Sequence, residues 1–339
     1  MILILSQTVH EPTTEFVMDW LESLGASYLR LNGEDFDGDC GVSLRVSAAG
    51  TELMIDDGGG GEPLPLERVR AVWYRRWQRH LRHGATEMVD PGHGIAQQLR
   101  IDLYRHLNME ARKLAEVLFA RLAGLPWLAD PATVSPNKLL VLERAAAAGL
   151  DIPATLVTTH RAELERFAAE HGQLITKAVS EARSFYLGGR YHVMHTVEVA
   201  PDDIAALPKS FPASLFQEQL PKKYELRVFY LAGECYPMAI FSQTDPRTRV
   251  DFRNYNFARP NRNVPYRLPE AVAAAIDGLM RSLGMDTGSL DLVKTTDGRT
   301  VFLEVNPNGQ FTMVSKPCNY HLERKIAETM MRKAANGRN

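Results

Sequence analysis

Leu290–Phe311 reads LDLVKTTDGRTVFLEVNPNGQF, and the way this stretch pairs with itself decides the fold. Val-, Leu- and Phe-rich runs flank Asp297-Gly298, the strongest short-range signal for a two-residue hairpin turn. With those two residues at the tip, Thr296 faces Arg299, and counting back sets Asp291 opposite Glu304. Strand alternation places Asn306 on the same face as Glu304. Pro307 disfavours a helical conformation at Asn306 and keeps that amide on the extended strand. Directly opposed side chains lie roughly 4.5–5.5 Å apart at Cβ, where two like charges are destabilising. Two carboxylates and an amide oxygen arranged this way suit a hard cation. Magnesium, held through one or two carboxylates and substrate phosphates, fits best. The competing reading is an edge hairpin with solvated acids. A three-residue loop would slip the register, so the expected pair rests on the Asp-Gly turn.

The bulk properties set the frame. With 339 residues the chain has room for two or three domains, and 45% hydrophobic against 24% charged residues is ordinary globular composition. A formal net charge of −2 argues against a nucleic-acid protein that relies on bulk electrostatics. The N-terminal MILIL run has no basic region before it and reads as a first strand, not a signal peptide. No stretch approaches the roughly 20 apolar residues that span a bilayer. Cys40, Cys235 and Cys318 are odd in number and widely separated, a pattern expected of thiols in a reducing cytoplasm.

Taken in order, the chain opens β-α-β, with strands at Ile2–Leu5 and Tyr28–Leu31 around a helix at Thr14–Leu24. A hairpin is expected around Ala49-Gly50. Gly58–Gly61 has no following lysine and no helix start, so it is no phosphate loop. Ala71–Arg76 is a strand ending in Arg75 and Arg76, which could meet an acidic partner; Trp73 reads as core. A helix with one apolar face lies between Gly92 and Gly124. His80, His83, His93 and His106 read as surface residues, because no carboxylate or cysteine completes a metal set. Leu125–Pro136 reads as an interdomain linker, with Ser135-Pro136 capping a helix over Asn137–Ala148.

Strand, helix and strand follow to Lys177, which closes QLITK and either snorkels or points into a cleft. Ser180–Arg190 reads as a glycine-containing loop. His192 and His195, three apart, fall on opposite faces of a strand and make no metal pair. LFQEQ at Leu215–Gln219 ends another strand. Tyr224–Leu231 and Glu234–Phe241 form a hairpin across Ala232-Gly233, with Glu225, Arg227 and Phe229 on one face. An arginine-rich segment with Arg247, Arg249, Arg253, Arg259 and Arg262 comes next. Helices are expected over Pro269–Leu283 and Asn319–Lys333.

A magnesium site, a strand-end lysine and an arginine-rich face are the parts that hold a triphosphate and stabilise transfer of its terminal phosphoryl group. Without a Walker-type loop, the lysines must come from strands and helices. On these residues the chain resembles the ATP-grasp superfamily, in which two α+β lobes clamp ATP and an acyl phosphate is formed. The resemblance implies an α/β chain of three parts: a pre-ATP-grasp domain over 1–130, a small lobe over 131–214 and a catalytic lobe over 215–339. It equates Lys138 of PNKL and Lys177 of ITK with the phosphate-contacting lysines. It sets Gln217, Glu218, Gln219 and Leu220 at the adenine. It makes Arg227 of YELRVFY a phosphate-binding arginine, and Asp291, Glu304 and Asn306 the metal ligands.

VWYRR, ELRVFYL, MAIFSQ, DFRNYN, PNRNVPY, GSLDLV, EVNPNGQF and CNYHLERKIA resemble the peptide-macrocyclising branch more closely: the graspetide (microviridin-type) synthetases, and among them the maturases of grasp-with-spasm systems. EARSFYLGGRY departs from the Gly-rich pattern of other ATP-grasp ligases. The resemblance implies that ATP and Mg2+ activate Asp or Glu side chains of a ribosomally made precursor peptide. A Ser/Thr hydroxyl or a Lys amine then closes an ω-ester or ω-amide ring. Arg253 would hold the acyl phosphate or the carboxylate, and Arg75, Arg76 and the arginine-rich segment would attract the acidic peptide. A homodimer and a partner radical enzyme of the same gene cluster are further implied partners, with no nucleic acid and no membrane. Rival readings are a ligase adding glutamate or another amino acid to a protein, and a binding module with a decayed site. No residue is singled out as a base for the nucleophile.

Overall fold

The computed structural model describes residues 1–7, 11–33, 41–56, 62–77, 97–180, 184–244, 256, 258 and 260–337. Arg247, Arg249, Arg253 and Arg259 lie outside the described residues, as do His80, His83, His93 and Cys40. The chain divides into two compact units, one formed by Met1–Ala132 with His321–Asn339 and the other by Thr133–Tyr320. The final helix, Leu322–Asn336, thus belongs with the N-terminal segment and not with the strands that precede it.

In the first unit, strands β1 (Ile2–Ser6), β2 (Tyr28–Asn32), β6 (Ala71–Tyr74) and β7 (Trp127–Leu128) make a parallel sheet in the order β2-β1-β6-β7. Every residue of β1 is buried, as a strand covered on both faces requires. Helix Pro12–Ser23 packs on Leu322–Asn336. β7 comes from the proline-rich stretch expected to be a linker: Val72 and Trp73 pair with Trp127 and Leu128, so that stretch completes the sheet. A second sheet joins β3 (Gly41–Ser47), β4 (Gly50–Asp56) and β5 (Leu64–Pro65), with the expected β3–β4 hairpin. The long helix runs Gln97–Leu122. Its single apolar face holds only in the second half, where Ala115, Leu118 and Leu122 are buried; Leu99 and Met109 are exposed.

Arg75 is not an outward-facing anchor for a partner. Its Nε donates to Glu11 Oε1 at 2.9 Å and its Nη2 to Thr13 Oγ1 at 3.1 Å, and both Arg75 and Glu11 are buried. Burial lowers its guanidinium to about 10, with Glu11 opposing that shift. Arg76, with φ of 55°, reaches the other Glu11 oxygen at 3.5 Å. One carboxylate locks both arginines onto the start of the first helix.

The second unit contains two larger sheets and a separate hairpin. β8 (Thr155–His160), β9 (Leu174–Lys177), β12 (Val197–Val199) and β13 (Ser210–Glu218) form an antiparallel sheet ordered β12-β9-β13-β8. β10 (Ser184–Leu187) and β11 (Arg190–Val193) form the hairpin, where the sequence reading placed a loop; Gly188 and Gly189 at its tip both have positive φ, as a tight two-residue turn requires. β14 (Lys222–Leu231), β15 (Glu234–Phe241), β16 (Arg262–Pro265), β17 (Thr287–Thr295) and β18 (Thr300–Asn306) form the second sheet, ordered β16-β15-β14-β17-β18.

One face of that second sheet is core. Leu226, Val228, Leu290, Leu292 and Phe302 pack on Val141 and Ala145 of helix Lys138–Ala147 and on Ile276, Leu279 and Met280 of helix Glu270–Ser282. Period-two alternation then sends Glu225, Arg227 and Asp291 to the opposite face. The cap of helix Lys138–Ala147 is Asn137, whose Oδ1 accepts the Leu139 N–H at 3.0 Å; Ser135-Pro136 lies before it. Among the described residues no helix is long and apolar enough to cross a membrane.

Candidate active site

Asp291 on β17 and Glu304 on β18 are direct cross-strand partners. The route to that pairing differs from the expected one. Near the turn, Lys294 pairs with Thr300 and Val293 with Val301, and the Thr295 N–H donates to the Arg299 carbonyl, so the loop holds three residues, Thr296–Gly298. Gly298 has φ of 95° and supplies the left-handed position of such a loop. The register is therefore one residue off until a bulge between Asp291 and Leu292 inserts Leu303 and restores it. A bulge of this kind turns two successive side chains to one side. Leu303 and Glu304 accordingly both line the same cleft.

Two cations balance the acids. Arg227, the cross-strand partner of Asp291 on β14, donates from Nη1 to both carboxylate oxygens at 2.5 and 2.6 Å. Lys138, at the first turn of its helix, places Nζ 3.4 Å from Glu304 Oε2. Among the described residues the buried Arg227 Nε has no acceptor. Asn306 ends β18, exposed and on the side of Glu304, and pairs with Ser289 across the ladder. Gly309 carries the chain past Ser289 so closely that a Cβ there would lie 2.2 Å from the Ser289 Cβ.

The cleft has a volume of about 410 Å3 and draws its walls from both sheets. β9 and β13 contribute Lys177, Gln217 and Glu218, with Gln219 and Leu220 following; Asp291 and Glu304 form the facing wall. Lys177 ends β9 opposite Leu215. Gln217 is buried and donates from Nε2 to Thr155 Oγ1 at 2.9 Å, and Glu218 Oε1 accepts the Ala154 N–H at 3.0 Å. The Gln219 N–H donates to the Gln173 carbonyl at 2.8 Å, which removes that donor from ligand contact. Ile175, Val293 and Leu303 supply apolar surface. Apolar walls with a few convergent polar groups suit a flat heteroaromatic ring, and the lysines with the acid pair suit phosphates and a hard cation. Among the described residues no three His, Cys, Asp or Glu side chains converge on one point. Two carboxylates and an amide oxygen are the donor set magnesium uses when phosphates complete its shell.

Glu225 also lines the cleft, and sequence reasoning did not assign it a role. Its Oε1 accepts from Ser242 Oγ at 3.0 Å and from Lys222 Nζ at 3.2 Å. Burial raises its carboxyl above the ordinary glutamate range; Lys222 and Ser242 oppose that shift, and the Asp291 charge adds to it. Alternation had put Glu225 beside Arg227, but Ser242 arrives from the short 3-10 turn after β15 and no local pattern announces it.

Comparison with known proteins follows the same outline. Residues 1–134 match the family of MvdD pre-ATP grasp domains. A comparison with curated proteins returns no match. Among solved structures, the chain is similar to a RiPP-associated ATP-grasp ligase of Chryseobacterium gregarium in complex with ADP and a leader and core peptide, at 23% identity and TM-score 0.84, over 100% of this chain and 97% of that one. It is similar to the macrocyclase MdnC of Microcystis aeruginosa bound with precursor peptide MdnA, at 26% identity and TM-score 0.78, over 98% of this chain and 100% of that one. A third is the ATP-grasp ligase PsnB complexed with a phosphomimetic variant of its minimal precursor, Mg and ADP, at 19% identity and TM-score 0.70, over 98% of each chain. The protein has the ATP-grasp fold, and its first 134 residues match the MvdD pre-ATP grasp domain.

Proposed function

We propose that the protein is an ADP-forming ligase that matures a ribosomally made precursor peptide. It activates Asp or Glu side chains as acyl phosphates and closes ω-ester or ω-amide rings with Ser/Thr or Lys. The observation that carries this reading is the four-membered cluster of Asp291, Glu304, Arg227 and Lys138, whose two acids line the cleft and whose two cations pair with them. The likeness to MdnC, a macrocyclase bound with its precursor peptide, supports the choice of substrate class. On this reading 131–214 is the small lobe and 215–320 the catalytic lobe, the final helix being excepted because it packs in the first unit. A cytoplasmic homodimer working beside a radical enzyme of the same gene cluster belongs to the same reading.

The residues divide the work. Gln217, Glu218, Gln219 and Leu220 hold the adenine, and Lys138 and Lys177 bind phosphates. Magnesium held by Asp291, Glu304 and Asn306 supplies charge neutralisation for phosphoryl transfer. Arg227, anchored by Asp291, directs its remaining donors at the transferred group. Arg253, outside the described residues, is assigned to the acyl phosphate or the peptide carboxylate. A peptide hydroxyl or amine attacks the activated carboxyl, the phosphate leaves, and Glu225 takes the proton released. Burial makes its carboxylate a stronger base than an ordinary glutamate, as that role requires.

The test incubates the protein with ATP, magnesium and an acidic, Thr/Ser-containing precursor peptide. Successive losses of water from one peptide are expected. Gain of glutamate residues would instead show a ligase that adds amino acids, and ATP binding without ADP release would show a decayed site.

A further inference from the structure

Glu225 is gripped at one oxygen only. Both of its donors, the Ser242 hydroxyl and the Lys222 ammonium, converge on Oε1, and among the described residues no hydrogen bond reaches Oε2. Ser242 is fully buried, so its hydroxyl meets no substrate. It accepts from Gln243 Nε2 at 3.1 Å while giving its own O–H to Glu225, which fixes the direction of that O–H. Lys222 and Glu225 stand three residues apart and would face opposite sides of a regular strand. A register shift between Lys222 and Tyr224 brings the lysine to the cleft side, and both line the cleft. Their side chains are only 16% and 8% exposed, so the pair is shielded from water.

The geometry points to Ser242 and Lys222 as positioning residues for ring closure: together they hold Glu225 Oε1 so that Oε2 is turned to the attacking group of the peptide. The inference rests on the reading of Glu225 as the proton acceptor. In that step the O–H or N–H bond of the nucleophile breaks as its bond to the acyl carbon forms. The carbon–oxygen bond to phosphate breaks, phosphate leaves with the electron pair, and the proton goes to Oε2. A carboxylate free to rotate would offer that oxygen in the productive direction only part of the time, and misplacement of this kind slows chemistry without weakening binding.

Full-length Ser242→Ala and Lys222→Met proteins test this with ATP, magnesium and the acidic, Thr/Ser-containing precursor peptide used to test the proposed function. Hydroxylamine traps the acyl phosphate without help from a protein base and reports activation; loss of water reports ring closure. Ring closure is expected to fall about tenfold or more in both variants, part of the rate that a general base supplies. The peptide KM and the hydroxamate yield are expected to stay unchanged. Hydroxamate and ring formation falling together in both variants, or ring closure unaltered in both, overturns the positioning role. Normal ring closure by Glu225→Gln overturns the assignment of the base. A wild-type protein that forms neither hydroxamate nor rings overturns the ligase reading and this inference with it.

Discussion

Asp291 faces Glu304 because two irregularities of the hairpin cancel: a three-residue loop shifts the register by one, and the bulge at Leu303 shifts it back. The outcome matches a two-residue Asp-Gly turn, but the cause does not. The bulge also turns Leu303 into the cleft beside Glu304, adding an apolar wall that a regular ladder would have sent to the other face.

Glu304→Gln should abolish magnesium-dependent ADP release and leave the fold intact. The Glu304–Lys138 pair is partly exposed, with 22% and 35% of the side chains accessible, and contacts of this kind contribute about 0–1 kcal/mol. A thermal melt should therefore stay near the parent value while turnover disappears. Near-normal turnover would sink the metal assignment.

Arg227→Met should cost stability as well as activity, because it leaves the Asp291 carboxylate, only 14% exposed, without its main partner. Breaking such a pair costs about 3–5 kcal/mol. Replacing both partners, Arg227→Met with Asp291→Leu, should recover much of the stability in urea unfolding and none of the activity. Equal instability of single and double variants would show that the pair is not the reason.

Lys177→Ala should weaken nucleotide binding about tenfold or more, the worth of one charge-assisted hydrogen bond. A fluorescent ATP analogue measures it. An unchanged affinity would place that lysine elsewhere than on phosphate.

Gly309→Ala should lower both the melting temperature and magnesium-dependent activity, because the new Cβ meets Ser289 at 2.2 Å and must displace the segment that follows Asn306. Overpacking of this kind costs about 1–3 kcal/mol. Adding Ser289→Gly removes the atoms it strikes first and should restore part of the melting temperature; no recovery would locate the strain elsewhere.

Glu225 makes activity and stability respond to pH in opposite directions. Its carboxyl lies above the ordinary range in the folded protein, so between its unfolded and folded values the folded state binds more protons. Its contribution to stability is therefore full below the unfolded value and is lost as pH rises through the folded value. Ring closure, which needs the carboxylate, should rise over the same interval. Comparing melting temperature against pH for the parent and Glu225→Gln, beside the parent's pH–rate profile, checks both slopes. A melting curve equally steep in the variant would remove Glu225 as the cause.

The local patterns in this chain were sufficient to locate most strands, the Ala232-Gly233 hairpin and the facing acids Asp291 and Glu304, because strand alternation and turn chemistry act within a few residues. They put Arg227 on one face with Glu225 and Phe229, while its pairing with Asp291 came only from the β14–β17 ladder; the run of quoted motifs carried the resemblance to ATP-grasp macrocyclases. Three features needed the folded chain. Arg75 looks like a free cation in VWYRR, yet Glu11, 64 residues away, buries it in an ion pair. Leu125–Pro136 looks like a linker, yet Trp127 and Leu128 find their ladder partners in β6. Glu225 looks like any strand acid until Ser242 and Lys222 close on one of its oxygens. Sequence alone determined which residues share a side along the regular stretches of each strand, because that follows from backbone period, whereas the irregularities beside Leu303 and Lys222 override it. Tertiary structure decided which of them are desolvated and paired, because partners from distant segments set burial and charge balance. The Asp291–Glu304 pair belongs to both: its residues were legible in the sequence, while its register depended on a bulge that no short-range signal encodes.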